Sequence, residues 1–118
     1  MIRWIVKGLQ AARRQILAGM HKDWSATYLL RGENERAVRA CTNALAIDPT
    51  MVRALITRGT ALIELARYDE AIVDFEQALT LRPRDAEIHT RRGMAYYYRG
   101  DFNEALIDYN LAIHYDPY

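Results

Sequence analysis

Residues 58–83 read RGTALIELARYDEAIVDFEQALTLRP, and residues 92–117 read RGMAYYYRGDFNEALIDYNLAIHYDP, so one pattern returns after 34 residues. The three prolines, Pro49, Pro83 and Pro117, stand one such step apart. Counting back from each proline, small residues return at Ala44, Ala78 and Ala112, at Ala37, Ala71 and Ala105, and at Ser25, Gly59 and Gly93. Between them recur Cys41, Phe75 and Tyr109, and a second bulky position at Tyr28, Leu62 and Tyr96. A fixed period of this length marks stacked supersecondary units rather than one irregular globule.

Within a unit the spacing specifies two helices. Leu55, Gly59, Leu62 and Leu65 fall on one helical face, and after the polar break at Arg67–Asp69 so do Ala71, Ile72, Phe75 and Leu79. The small residues suit close helix crossings, where a long side chain would hold two backbones apart. Gly32 and Gly100 mark breaks, and Asp101 with Glu104 three residues on reads as a capping box for the last helix. The second helix of each unit ends before proline, which disfavours helical geometry at the preceding residue, so the unit closes in a turn.

This pattern, in units 18–51, 52–85 and 86–118, resembles the tetratricopeptide repeat. Unit one matches less closely, with Ser25 for the small Gly, Cys41 for the aromatic and Trp24 where the family usually has Leu. The strict period of 34 with its closing proline argues against a related 35-residue repeat that reads RNA, so nucleic acid is not an expected partner. The resemblance implies an all-α, right-handed superhelix of helical hairpins, a solenoid of about seven helices. Its first helices would line a concave groove that holds a peptide or a partner protein. By register that groove is lined by Lys22 in unit one, Arg53, Ile56, Thr60 and Ile63 in unit two, and Arg91, Met94 and Tyr97 in unit three. Some family members clamp the terminal carboxylates of chaperones with two Asn and three basic residues. Here Lys22 and Arg91 match, but Ala26 and Thr57 stand at the Asn positions and Glu87 at a Lys position, so that specific clamp is expected to be absent.

Composition agrees with one modest domain: 118 residues, 51% hydrophobic and 26% charged, with too short a chain for two sizeable cores. The net charge of +1 hides a basic N-terminal part, since residues 1–31 carry six Lys or Arg against the single acid Asp23. Within it, residues 1–17 are expected to form a separate amphipathic helix, with Ile2, Ile5, Val6, Leu9, Ile16 and Leu17 on one face and Arg3, Lys7, Gln10 and Arg14 on another. The simplest expectation is a helix that covers unit one; anionic lipid is the weaker alternative, so a membrane is not an expected partner. Without an apolar leader or a bilayer-crossing segment, a cytoplasmic location is expected.

No catalytic constellation is present. His21, His89 and His114 are dispersed, the lone Cys41 has no second thiol, and no phosphate loop or nucleophile motif occurs, so no enzyme activity, metal or cofactor is expected. Six of the eight tyrosines lie in unit three. The last helix, with no solvating helix after it, is expected to expose an apolar edge at Tyr109, Ile113, Tyr115 and Tyr118 that pairs with a second copy in a homodimer. A structural self-association unit, or a repeat fragment of a larger scaffold, is therefore the alternative to a peptide-binding module.

Overall fold

The computed structural model describes residues 2–118 and consists of six helices, with no strand among the described residues. They are α1 (Ile2–Leu30), α2 (Asn34–Ile47), α3 (Val52–Glu64), α4 (Tyr68–Leu81), α5 (Ala86–Arg99) and α6 (Phe102–Tyr115). α1/α2, α3/α4 and α5/α6 pair as antiparallel hairpins that stack in order. Successive first helices touch, α1 with α3 and α3 with α5, whereas α2, α4 and α6 make no such close contact with one another among the described residues. The stack therefore curves with its first helices on the inside.

The expected count of about seven helices becomes six because α1 runs unbroken through Gly19. Gly19 carries no positive φ and has open space around it, so nothing there stops the helix. At 1.5 Å per residue α1 is about 43 Å long, and its first half projects past the hairpins. The radius of gyration, 16.3 Å, exceeds the about 13.5 Å expected of a compact domain of this length. Residues 2–17 are exposed throughout, so the expectation that they cover unit one is not met. Ala18, Ser25 and Tyr28 face the stack, while the apolar stripe through Ile2, Leu9 and Ile16 lies on the opposite side of the helix.

Each hairpin turns through the same device. Gly32, Ala66 and Gly100, one period apart, adopt φ of 72°, 57° and 95°. Behind each, a backbone N–H reaches back five residues, from Glu33 to Tyr28, Arg67 to Leu62 and Asp101 to Tyr96, at 2.8–2.9 Å. That is the Schellman closure of a helix end, and it gives the recurring bulky position a second role as the acceptor carbonyl of the turn. The capping box expected at Asp101 does not form: its carboxylate is taken by Arg99. Among the described residues, the one side-chain N-cap is Asp85, which accepts from the N–H groups of Glu87 and Ile88 at the start of α5.

The core confirms the small-residue logic. A Cβ added at Gly59 would lie 2.6 Å from the Phe75 ring, and one at Gly93 would lie 2.8 Å from the Tyr109 ring. In unit one the volumes are redistributed, with Ser25 on the first helix and the smaller Cys41 on the second, both fully buried. Burial, partly offset by the Ser25 hydroxyl, pushes the Cys41 thiol up to about 11.

Candidate functional site

The inner wall of α3 and α5 carries a polar network built from residues one period apart. Arg53 and Glu87 occupy the same position in successive units, which places them opposite each other across the stacked first helices. Arg53 donates from Nη1 to Glu87 Oε2 at 3.0 Å and from Nη2 to Oε1 at 2.9 Å. One turn along α5, Arg91 Nε donates to the same Oε1 at 3.1 Å, and its Nη1 donates to Thr60 Oγ1 at 2.9 Å. Two guanidiniums share one carboxylate, leaving one net positive charge and several uncommitted N–H donors. The side chains are a third to a half exposed. Ion pairs this wet contribute at most about 1 kcal/mol, so a ligand carboxylate can displace Glu87 at little cost.

Not every residue expected in the groove lines it. Ile56 and Ile63 are 2% and 7% exposed and belong to the central core. The first helices pack directly on each other, so these positions fall in the seam between them rather than on the open wall. Met94 is partly buried against the same core. Lys22 takes no part in the network; its ammonium lies 3.9 Å from Asp23. Tyr97 is exposed and joins an aromatic group, its ring 5.6 Å from Tyr98 and 5.4 Å from Phe102, with Tyr68 stacked on Tyr98 at 6.1 Å. The structure thus brings together Arg53, Thr60, Arg91 and the acid Glu87, with Tyr97 further along α5.

The edge residues also divide. Ile113, Tyr118 and, less fully, Tyr115 are exposed, with the Tyr115 ring 5.5 Å from that of His89, whereas Tyr109 packs over Gly93, where burial raises its phenol pKa. Exposed Phe102, Leu106 and Ile107 extend the apolar surface of α6.

Two buried ion pairs went unnoticed in the sequence. Arg58 grips Asp74 with two bonds of 2.8 and 2.7 Å, and one period later Arg92 grips Asp108 with two of 2.8 Å. Their signal was the return of Arg and Asp at the same register; unit one has Trp24 and Ala40 there. Asp108 lies 3.3 Å from Nδ1 of buried His89, whose Nε2 is 2.9 Å from the Pro83 carbonyl. These groups tie α3 to α4 and α5 to α6, and Arg58 with Asp74 also lines an open cleft beside Val38, Thr42 and Val73. No set of three or more His, Cys, Asp or Glu side chains converges as a metal site among the described residues.

Similarities to known proteins agree with this architecture. Family profiles match residues 28–73 and 86–118, both described as tetratricopeptide repeat, and residues 59–98, described as TPR repeat. The chain is 35% identical over 86 residues to the tetratricopeptide repeat and J domain-containing co-chaperone DNJ1 of Fusarium oxysporum f. sp. lycopersici, covering 73% of this chain but 16% of that protein. Among solved structures, the second TPR of Spaghetti (RPAP3) bound to the HSP90 peptide SRMEEVD superposes with a TM-score of 0.84 at 27% identity, over 91% of this chain and 98% of that one. The second TPR domain of human RPAP3 in complex with the HSP70 peptide SGPTIEEVD gives 0.83 at 28%, over 88% and 87%. The 34-residue period, the three stacked hairpins and these matches lead to one conclusion: the chain belongs to the tetratricopeptide repeat family.

Proposed function

We propose that the chain is a non-enzymatic, cofactor-free interaction module of the cytoplasm that holds an extended acidic peptide of a partner protein along the inner wall of α3 and α5. The observation that carries this reading is the Arg53–Glu87–Arg91–Thr60 network, an exposed positive site in which an internal carboxylate already occupies the place a ligand carboxylate would take. The similar Spaghetti and human RPAP3 domains, solved with acidic chaperone peptides, support the class of ligand. Glu87 sets a lower affinity for such a peptide, because it repels the incoming charge and competes for both guanidiniums.

The test is fluorescence anisotropy with labelled SRMEEVD. Arg53→Glu and Arg91→Glu should each weaken binding about tenfold, the equivalent of roughly 1.4 kcal/mol, and Glu87→Gln should strengthen it several-fold. A peptide that fails to bind, or binds equally to all three variants, would remove the proposal. A second reading, in which the outer surfaces join copies of the chain, is favoured by exposed Leu106 and Ile113 on α6.

A further inference from the structure

The inner wall carries opposite charges at its two ends. Arg53 stands in the first turn of α3, and Glu64 is the last residue of that helix. At about 100° per residue, eleven steps return the chain to the same face, and Thr60 falls on that face between them. Glu87, Arg91, Met94 and Tyr98 form the corresponding row of α5. Glu64 and Tyr98 are one period apart, as Arg53 and Glu87 are, so register sets Glu64 beside Tyr98 at the far end of the stacked first helices. Glu64 is exposed although a further unit follows it, so this position stays open within a stack.

At the first end, Arg53 and Arg91 share Glu87 and leave one net positive charge. At the other, Glu64 makes no ion pair among the described residues. Arg67, three residues on, is held by Glu70, and Arg99, beside Tyr98, by Asp69 and Asp101. The Tyr98 ring is 55% exposed and stacks at 6.1 Å on Tyr68, which holds it next to the turn that follows Glu64. Thr60 and Met94, between the two ends, are uncharged. The helices do not explain this arrangement, because a cation in the first turn and an anion in the last both oppose the macrodipole. A ligand cation, by contrast, is favoured at once by the free carboxylate, the π face of Tyr98 and the carbonyl end of α3.

Helical rise sets the spacing of the ligand. Arg91 and Tyr98 are about 10.5 Å apart along the axis, and Arg53 and Glu64 about 16.5 Å. An extended chain covers about 3.4 Å per residue, so peptide charges three to five positions apart reach both ends. We propose that Glu64 and Tyr98 form a subsite for a Lys or Arg side chain. The peptide then lies parallel to α3 and α5, with its acidic residues at Arg53 and Arg91 and a basic residue three to five positions away at Glu64. The subsite rests on the peptide reading above and gives it a polarity: the wall selects a dipolar peptide over a uniformly acidic one and sets which end lies at the α3–α4 turn.

Fluorescence anisotropy with three labelled peptides tests the subsite. SRMEEVD carries Arg three positions before its second Glu and five before its Asp; SAMEEVD and SLMEEVD lack the cation. The unmodified chain should prefer SRMEEVD to either by about fivefold, the combined size of an exposed ion pair and an exposed cation–π contact. Glu64→Lys should bring that ratio to about one, and Tyr98→Ala should lower it about twofold. Arg53→Glu should weaken SRMEEVD and SAMEEVD alike. Both subsite side chains are exposed, so helix content should persist by circular dichroism; if Tyr98→Ala loses helix, Tyr98→Leu keeps the bulk without the π face. The subsite alone is overturned, and the peptide reading left standing, by any of three results. They are SAMEEVD binding as tightly as SRMEEVD while Arg53→Glu weakens both, SLMEEVD matching SRMEEVD, or a preference that survives Glu64→Lys. Failure of all three peptides to bind would overturn the peptide reading and the subsite with it.

Discussion

Gly59 and Phe75 should be energetically inseparable. A methyl group at residue 59 would sit 2.6 Å from a fully buried ring that has no room to retreat. Overpacking of this kind costs about 1–3 kcal/mol, while Ala in place of Gly inside a helix returns about 0.5–1 kcal/mol. Gly59→Ala should therefore destabilise the protein by roughly 1 kcal/mol. Phe75→Cys, which installs the unit-one residue, should cost about 3 kcal/mol through the cavity it opens. In that background the clash has gone and only the helix gain and some refilling remain, so Gly59→Ala should become stabilising by about 0.5–1 kcal/mol. Urea unfolding followed at 222 nm measures all four corners of the cycle, and the coupling should approach 2 kcal/mol. Ser25 paired with Cys41 is the same exchange already present in unit one. If Gly59→Ala has the same effect in both backgrounds, within about 0.5 kcal/mol, the reasoning that links small residues to helix crossings is wrong.

Three further outcomes follow from the same structure. Ala66→Gly should raise stability by about 0.5 kcal/mol, because relief of the left-handed strain, about 1–2 kcal/mol, exceeds the entropic cost of glycine; Gly100→Ala should lower it by a similar reckoning, both read by denaturant midpoint. Asp108→Ala leaves Arg92 and buried His89 without their carboxylate and should cost about 3–5 kcal/mol, whereas exposed Asp69→Ala should cost less than about 1 kcal/mol, as thermal and urea unfolding would show. The folded chain holds the Cys41 proton to about 11 while the unfolded thiol ionises near 9, so the stability due to this group is intact below pH 9 and falls as pH rises from 9 toward 11. The decline should be on the order of 2–3 kcal/mol and absent in Cys41→Ala.

What could be read from residues alone was whatever the period repeats. Pro49, Pro83 and Pro117 and the alanines between them located the hairpins because these residues act through backbone and volume, which sequence reports directly. The left-handed turn at residue 66 was hidden because Ala stands where the other units use Gly, and only the hydrogen bonds around it reveal the shared geometry. The unbroken α1 was hidden because Gly19 lowers helix propensity without forbidding a helix. The expected capping box at Asp101 and Glu104 failed because Arg99 competes for the same carboxylate. On the inner wall, register identified Arg53, Thr60 and Arg91 but not that Glu87 joins them, and it placed Ile56 and Ile63 on a surface that the stacked first helices cover. Facing positions on adjacent units are a tertiary property, and the pattern within one unit does not distinguish open wall from seam.

A peptide held along the α3–α5 inner wall would lie against Arg53, Thr60, Glu87 and Arg91. Titrating the isotopically labelled chain with SRMEEVD and following backbone amide resonances tests it most directly. Shifts should concentrate at Arg53, Thr60, Glu87 and Arg91, with α2 and α6 unmoved. Shifts confined to the outer helices, or no shifts at millimolar peptide, would contradict it.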